Sequence, residues 1–167
     1  CAFIDTFNQA TVFSSIDTEG RYAYGNQPRV AAWNLARFAE TLVPLLHSEQ
    51  TQAIKLAQEA LAKFDELYRG HWLAGMRSKL GLFHAEEADE SLIRNLLWLM
   101  QEHAADYTNT FRALTFSHKG DASLFDTADF AAWNENWQAR LARQQEPETA
   151  SHQLMRCSNP ALIPRNH

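Results

Sequence analysis

Apolar residues recur at intervals of three and four from Pro28 onward, which is the spacing of one face of an α-helix. The first helix carries a stripe made of Ala31, Leu35, Phe38, Leu42 and Leu45. Pro28 suits its first turn, because proline has no amide hydrogen to offer there, and Pro44 should kink or end the helix near its last turn. The pattern therefore predicts a long helix that begins near residue 28.

Helical patterns continue downstream. The second helix has Ser48 as its predicted N-cap and a bend at Gly70, and its stripe is Ile54, Ala57, Leu61, Phe64 and Tyr68. A third helix begins near Asp89, in an acidic stretch that the helix dipole favours. Its wide apolar face predicts a central position and consists of Leu92, Ile93, Leu96, Leu97, Trp98, Leu99 and Met100.

Three shorter helices complete the pattern. The first covers residues 105–116, and the last restarts at Pro147. Between them, Asp126 is the predicted N-cap of a helix whose start is flanked by Phe125 and Phe130, as in a hydrophobic staple. One face of that helix carries Phe130, Trp133, Trp137 and Leu141.

Residues 1–27 differ from the rest, because a short apolar start is followed by turn-forming residues and two glycines. The sequence therefore predicts an all-α fold with two parts. An irregular N-terminal arm spans residues 1–27, and one helical domain spans residues 28–167.

Composition and charge argue against several functional classes. The 167 residues carry a net charge of -5 without a cluster of Lys and Arg, so we expect no nucleic-acid partner. No run of about 18 apolar residues predicts a membrane span, and no secretion signal is recognisable. The two cysteines, Cys1 and Cys157, allow one bridge but no disulfide scaffold, and they favour a reducing, cytoplasmic location.

Few residues have the spacing of a reactive site. Glu102, His103 and Asp106 come closest to a metal site, but their spacing is more typical of a solvated helix end. His152 and Cys157 lie five apart on one predicted helix and point to different sides, so they make a weak nucleophile pair. No glycine-rich phosphate loop is present. The sequence therefore predicts no catalytic, cofactor-binding or metal-binding residue in this chain.

One polar loop is the candidate binding surface. Gly20 and Gly25 bracket four residues, of which three are bulky, and two side-chain amides follow. A structural interpretation, in which the loop packs on the helix below it, stands beside a functional one, in which the loop orients a partner chain. The functional interpretation gives the candidate residues Arg21, Tyr22, Tyr24, Asn26 and Gln27.

Four blocks of sequence carry a resemblance to a known family. They are AFID at 2–5, GRYAYGNQPRVAAWNLARFAETL at 20–42, DYTNTFRAL at 106–114 and NPALIPRNH at 159–167. In this order the blocks resemble the selenoprotein O family of kinase-like protein adenylyltransferases, whereas the segments between them match only as helical patterns. Because the chain starts on Cys1 and on an apolar run, we expect it to be a piece of a longer protein.

The resemblance implies a kinase-like parent, of which this chain is a helical C-lobe-like fragment. The parent would transfer AMP from ATP to Ser, Thr or Tyr hydroxyls of proteins, with ATP and Mg²⁺ held by residues upstream of this chain. By analogy with kinases, the arm is an activation-segment-like stretch in which Arg21, Tyr22 and Tyr24 face the protein substrate. The helix that contains Trp33 would then be the central, buried helix of the C-lobe.

Two interpretations follow. In the first, the chain is part of an adenylyltransferase, is inactive alone, and has as partners the protein substrates and the missing N-terminal part of the same protein. In the second, it is a non-enzymatic helical protein-interaction module. The extent of exposed apolar surface distinguishes the two interpretations. A fragment should expose a large apolar patch and form a dimer, whereas an interaction module should confine its apolar patch to one groove.

Overall fold

The computed structural model describes residues 4–117 and 123–159, and this part of the chain is helical without a β-strand. A lone β-bridge joins Thr6 and Asp106. The helices are α1 (Gln27–Leu46), α2 (Gln50–Leu61), α3 (Phe64–Lys79), α4 (Asp89–Glu102), α5 (Tyr107–Phe116), α6 (Ala128–Ala142) and α7 (Glu148–Ser158), with 3₁₀ turns at Tyr24–Asn26 and Ser123–Asp126. The predicted all-α class is confirmed.

The chain divides into two compact units. Residues 9–71 form the first, which we call the helix-pair unit after α1 and α2. Residues 1–8 and 72–167 form the second, which we call the core unit. The boundary between them falls within α3, and the predicted division of the chain at residue 27 stays a prediction.

Helix α1 begins and ends as its prolines predict. Pro28 lies in the first turn, and the helix ends at Leu46, two residues after Pro44. The α1 helix packs against α2. The buried apolar residues of the described helix-pair unit are all small or medium in size, namely Ala23, Val30, Ala53 and Ala57.

Two predicted boundaries in the helix-pair unit are wrong. The N-cap of α2 is Glu49 rather than Ser48, and no side chain caps the helix. The helical run breaks after Leu61, whereas α3 passes through Gly70 without interruption. A single glycine lowers helix stability by only about 1 kcal/mol, which is too little to end a helix by itself.

The core unit has large side chains at its centre. The predicted inward face of α4 is confirmed, since Ile93, Leu96 and Met100 are fully buried. Trp98 departs from that face, because its side chain is 56% exposed. Residues 4–8 join this unit, since the amide of Phe7 donates to the carbonyl of Ala105 at 2.8 Å.

Helix α6 begins one residue later than predicted. Thr127, and not Asp126, is the N-cap, and its hydroxyl accepts from the amide of Phe130 at 3.1 Å. The contact between Phe125 and Phe130 is confirmed, because their ring centroids lie 4.7 Å apart, but with Thr127 as the N-cap the two residues do not occupy the staple positions. Asp126 instead ends the preceding 3₁₀ turn, so the hydroxyl of the next residue is the one that reaches the free amides.

Two tryptophans fasten α6 inside the core unit. Trp133 donates its indole N–H to the carbonyl of Leu92 at 2.9 Å, and Trp137 donates to the carbonyl of Leu80 at 3.0 Å. Both indoles are buried, so each polar atom has the partner that its burial requires. Helix α7 follows Pro147 as predicted. Cys1 and most of the fourth sequence block lie outside the described residues.

Candidate functional site

The candidate loop is shaped by one aspartate. The two carboxylate oxygens of Asp17 accept hydrogen bonds from the amides of Arg21 and Tyr22, each at 2.8 Å. Gly20 stands at the bend with a φ of 65°, a left-handed conformation that glycine adopts without strain. The loop therefore has a defined backbone before any partner is considered.

The two predicted amide residues hold the same loop from its other end. Asn26 donates its side-chain amide to the carbonyl of Gly20 at 2.9 Å, and Gln27 donates to the carbonyl of Tyr22. Both residues are half-buried. Their amide nitrogens thus act within the loop in this structure, and contact of either residue with a partner stays a prediction.

Residues 9–11 lie behind the loop and are hydrogen-bonded to it. The amide of Tyr24 donates to the carbonyl of Thr11 at 2.9 Å, and that of Gly25 donates to the carbonyl of Gln9 at 2.8 Å. A Cβ atom at Gly25 would lie 3.1 Å from the Gln9 carbonyl oxygen, so a side chain there would crowd the backbone. Tyr24 is half-buried, whereas Tyr22 is 50% exposed.

The guanidinium group of Arg21 does not extend freely into solvent. Its Cζ atom lies 4.6 Å from the ring centroid of Trp33 and 5.7 Å from that of Tyr22. Arg37 approaches the same indole, with its Cζ atom 5.6 Å from the centroid. These are cation–π distances, and Trp33 remains 48% exposed. We call Arg21, Trp33 and Arg37 the arginine–tryptophan stack.

Helix α1, which the resemblance makes the central, buried helix of the parent's C-lobe, is largely exposed in this chain, and its burial in the longer protein stays a prediction. Besides Trp33, its stripe residues Leu35, Phe38 and Leu45 are 41%, 59% and 81% exposed. Val30 is the buried apolar residue of the helix. The stripe exists as predicted, but the described residues do not cover it.

The other sequence candidates do not assemble into a site. Among the residues that the structure describes, no group of three His, Cys, Asp or Glu side chains is placed to hold a metal ion. Asp106 caps α5 instead, accepting from the amide of Asn109 at 2.7 Å. His152 contacts the carbonyl of Thr115 through Nδ1 at 3.1 Å, while Cys157 is exposed.

Comparison with known proteins decides the family. The model of the family described as Protein adenylyltransferase SelO matches residues 1–167. Similar proteins named Protein nucleotidyltransferase YdiU occur in Alkaliphilus metalliredigens and Brevibacillus brevis, at 61% and 60% identity over 167 residues, and in Halalkalibacterium halodurans at 59%. The chain belongs to the SelO family. Each alignment covers all of this chain and 34% of the relative, so the chain spans about a third of their length.

A nucleotidyltransferase of the SelO family would use ATP and a divalent metal, so the residues of this chain can be compared with the ligands that such a metal needs. The described residues of this chain do not fit the metal, because they bring no suitable set of ligands together. No helix in the described part is long and apolar enough to cross a membrane.

A buried ion-pair cluster in the core unit was missed at the sequence level. Asp89, predicted only as an acid that the helix dipole favours at the start of α4, is 1% exposed. Its carboxylate contacts Arg140 Nε at 2.8 Å and Arg77 Nε at 2.7 Å. Arg140 also contacts Glu86 at 3.1 Å. Because Arg140 lies 51 residues from Asp89, no local spacing signals the pair.

The charges of this cluster support one another. Burial would raise the pKa of Asp89, but hydrogen bonds from Arg140, from the amide of Glu86 and from Arg77 outweigh burial. The pKa of Asp89 therefore lies below its usual value. The cluster fastens the start of α4 to α3 and α6, and we assign it a structural role.

The arginine–tryptophan stack was missed in part as well. Arg21 was a candidate, but Trp33 was assigned to a buried helix, and Arg37 was not considered. Trp33 and Arg37 are four residues apart on α1, so they share a face of that helix. That spacing was the available signal, and the contribution of Arg21 from the loop required the structure.

Proposed function

We propose that this chain is the C-terminal part of an ATP-dependent protein adenylyltransferase that attaches AMP to Ser, Thr or Tyr hydroxyls of other proteins. The observation that carries the proposal is the match of the SelO family model to every residue of the chain. In the reaction, the acceptor oxygen bonds to the α-phosphorus of ATP, pyrophosphate leaves with the broken P–O bond, and the hydroxyl proton passes to a base.

The part of the protein outside this chain supplies ATP and Mg²⁺ binding in this proposal. The isolated chain is then inactive. We also place the protein in the cytoplasm.

The loop from Arg21 to Gln27 presents the protein substrate. Its support is geometric, because the backbone is held by Asp17 and Asn26 while Tyr22 stays half exposed. Loops on a fixed scaffold commonly carry binding residues. Arg21 and Tyr24 are the residues that we expect to affect substrate contact most.

The apolar stripe of α1 is the surface that the rest of the protein covers. Leu35, Phe38 and Leu45 are exposed although they repeat at helical spacing, and such a stripe is normally buried against another element. About two thirds of the length of the relatives lies outside this chain. In the isolated chain, the same stripe favours a dimer.

The test measures AMP transfer and ATP binding in the full-length protein that contains this chain. Arg21→Gln and Tyr24→Phe should reduce protein modification by about tenfold while ATP affinity is retained, because the loop faces the acceptor protein and ATP is bound elsewhere in the protein. Tyr68→Phe on α3 is the matched control and should have no effect. Equal loss of modification and ATP binding would contradict the assignment of the loop to the substrate.

A further inference from the structure

Residues 20–39, between Glu19 and Glu40, carry only positive charges in an acidic protein. Residues 20–39 contain Arg21, Arg29 and Arg37 and no Asp or Glu, whereas the whole chain carries a net charge of -5. A local charge opposite to that of the whole chain attracts ligands of negative charge.

Two of these arginines converge on one indole. Arg21 approaches Trp33 from the loop and Arg37 approaches it along the helix, at 4.6 Å and 5.6 Å from the ring centroid. A guanidinium group that stacks on a ring is held in place while its N–H groups remain able to form a fork with a carboxylate. Trp33 thus orients two cationic groups on an exposed surface.

The two arginines differ in their present partners. Arg37 contacts Glu40 at 2.6 Å, in an ion pair whose two side chains are both more than half exposed. Arg21 has no carboxylate at ion-pair distance among residues 4–117 and 123–159. An exposed pair is weak, so a carboxylate from another molecule can displace Glu40.

The stack is separate from the apolar stripe on the same helix. At 100° per residue, Leu35 and Leu42 lie on roughly the opposite side of α1 from Trp33. The stack therefore stays open to a partner when the stripe is covered by the rest of the protein.

We propose that Arg21, Trp33 and Arg37 form a docking site for a glutamate- or aspartate-rich segment of the protein substrate. The proposal rests on the proposed function in one respect, which is that the acidic segment belongs to the protein substrate. The two stacked guanidinium groups bind carboxylates that flank the modified hydroxyl, and they set a preference for acidic sequence around it.

The test compares two short synthetic peptides that differ only in charge. Each holds one serine between four flanking residues, which are all Glu in one peptide and all Gln in the other. Binding to the full-length protein is measured by fluorescence anisotropy. The Glu peptide should bind about tenfold more tightly than the Gln peptide, and the difference should shrink at high salt because exposed charges are screened.

Four variants identify the residues responsible. Arg37→Gln and Trp33→Leu should each weaken the Glu peptide about threefold, and Glu40→Gln should strengthen it, because it releases Arg37. Lys63→Gln removes the same single charge from an exposed position of the helix-pair unit and should change nothing. ATP affinity should be the same in all four.

Several results would overturn the site. They are equal binding of the two peptides, an equal effect of Arg37→Gln and Lys63→Gln, a Glu40→Gln variant that does not bind more tightly, and a loss of ATP affinity in Arg37→Gln. Failure of the proposed function is distinct from these outcomes. A protein that binds the Glu peptide selectively but transfers no AMP contradicts the function and retains the site.

Discussion

The two units of this chain differ in what they bury. The core unit encloses large side chains such as Phe111, Trp133 and Trp137, together with the Asp89–Arg140 ion pair. In the described helix-pair unit, Val30 is the largest buried apolar residue, while Phe38 and Leu45 are exposed. Burial of apolar area is the main source of folding free energy, so the core unit should be stable by itself and the helix-pair unit should depend on a further partner.

The largest expected difference comes from one phenylalanine in each unit. Phe111→Ala in the core unit should lower the free energy of unfolding by about 4 kcal/mol, because it leaves a cavity in close-packed surroundings. Phe38→Ala is the matched change in the helix-pair unit and should cost less than about 0.5 kcal/mol in the isolated chain. Urea unfolding monitored by circular dichroism measures the free energy of unfolding of both variants. Similar losses of stability would contradict the proposed difference between the two units.

The buried charge gives the next effect. Asp89→Asn should destabilise the core unit by about 3 kcal/mol, because it removes the buried one of the two carboxylates that contact Arg140. Glu59→Gln removes the acid of an exposed pair with Lys55 and should change stability by less than about 0.5 kcal/mol. The same unfolding assay applies, and an equal result for the two variants would show that burial at Asp89 has no energetic consequence.

The stability of the core unit should also depend on pH through Asp89. Its folded-state pKa is lowered, so its contribution is complete above the usual aspartate value of about 4 and is lost as the pH falls through the lower folded value. Unfolding measured from pH 7 to pH 3 should show the stability gap between wild type and Asp89→Asn closing toward low pH. A gap that widens toward acid would contradict the sign of the pKa shift.

Helix caps should show a smaller contrast between the units. Thr127→Ala removes the side-chain cap of α6 and should lower stability by about 1 kcal/mol. Ser48→Ala should have almost no effect, since Ser48 is not the N-cap of α2. Thermal unfolding of both variants tests the difference. A substantial loss of stability in Ser48→Ala would support the prediction that Ser48 is the N-cap of α2.

The smallest expected effect lies on the apolar stripe. Leu45→Gln should change the stability of the isolated chain by less than about 0.5 kcal/mol, because Leu45 is 81% exposed. In the full-length protein the same variant should be clearly destabilising if the rest of the protein covers the stripe. Lys63→Gln serves as the control in both forms, and an equally small effect in both would contradict a covered stripe.

Local patterns in the sequence predicted much of the helical content. The spacing of Ile93, Leu96 and Met100 found the inward face of α4, and Phe130, Trp133 and Trp137 found that of α6. These predictions succeeded because the core unit buries each stripe. On α1 the same reasoning found the apolar face but not its exposure, since periodicity shows which side of a helix is apolar and does not show what covers it.

The errors have a common physical origin in distance along the chain. Asp89 meets Arg140 across 51 residues, so local reasoning related the aspartate only to the helix dipole and did not predict the buried pair. Arg21 reaches Trp33 across the 3₁₀ turn and the first part of α1, and no spacing rule predicts such an approach. The N-caps of α2 and α6 were missed by one residue each, because neighbouring residues could have capped each helix. The break after Leu61 was instead expected at Gly70, because glycine is the stronger sequence signal for the end of a helix.

The hydrogen bonds that Asp17 accepts and that Asn26 donates have a thermodynamic consequence for recognition. They fix the backbone from Gly20 to Gln27 in the free chain, so this surface is preorganised. A partner then restricts mainly side-chain rotation on binding, and little of the interaction free energy is lost to ordering the loop. Asp17→Ala would therefore weaken binding through entropy, although Asp17 itself need not contact the partner.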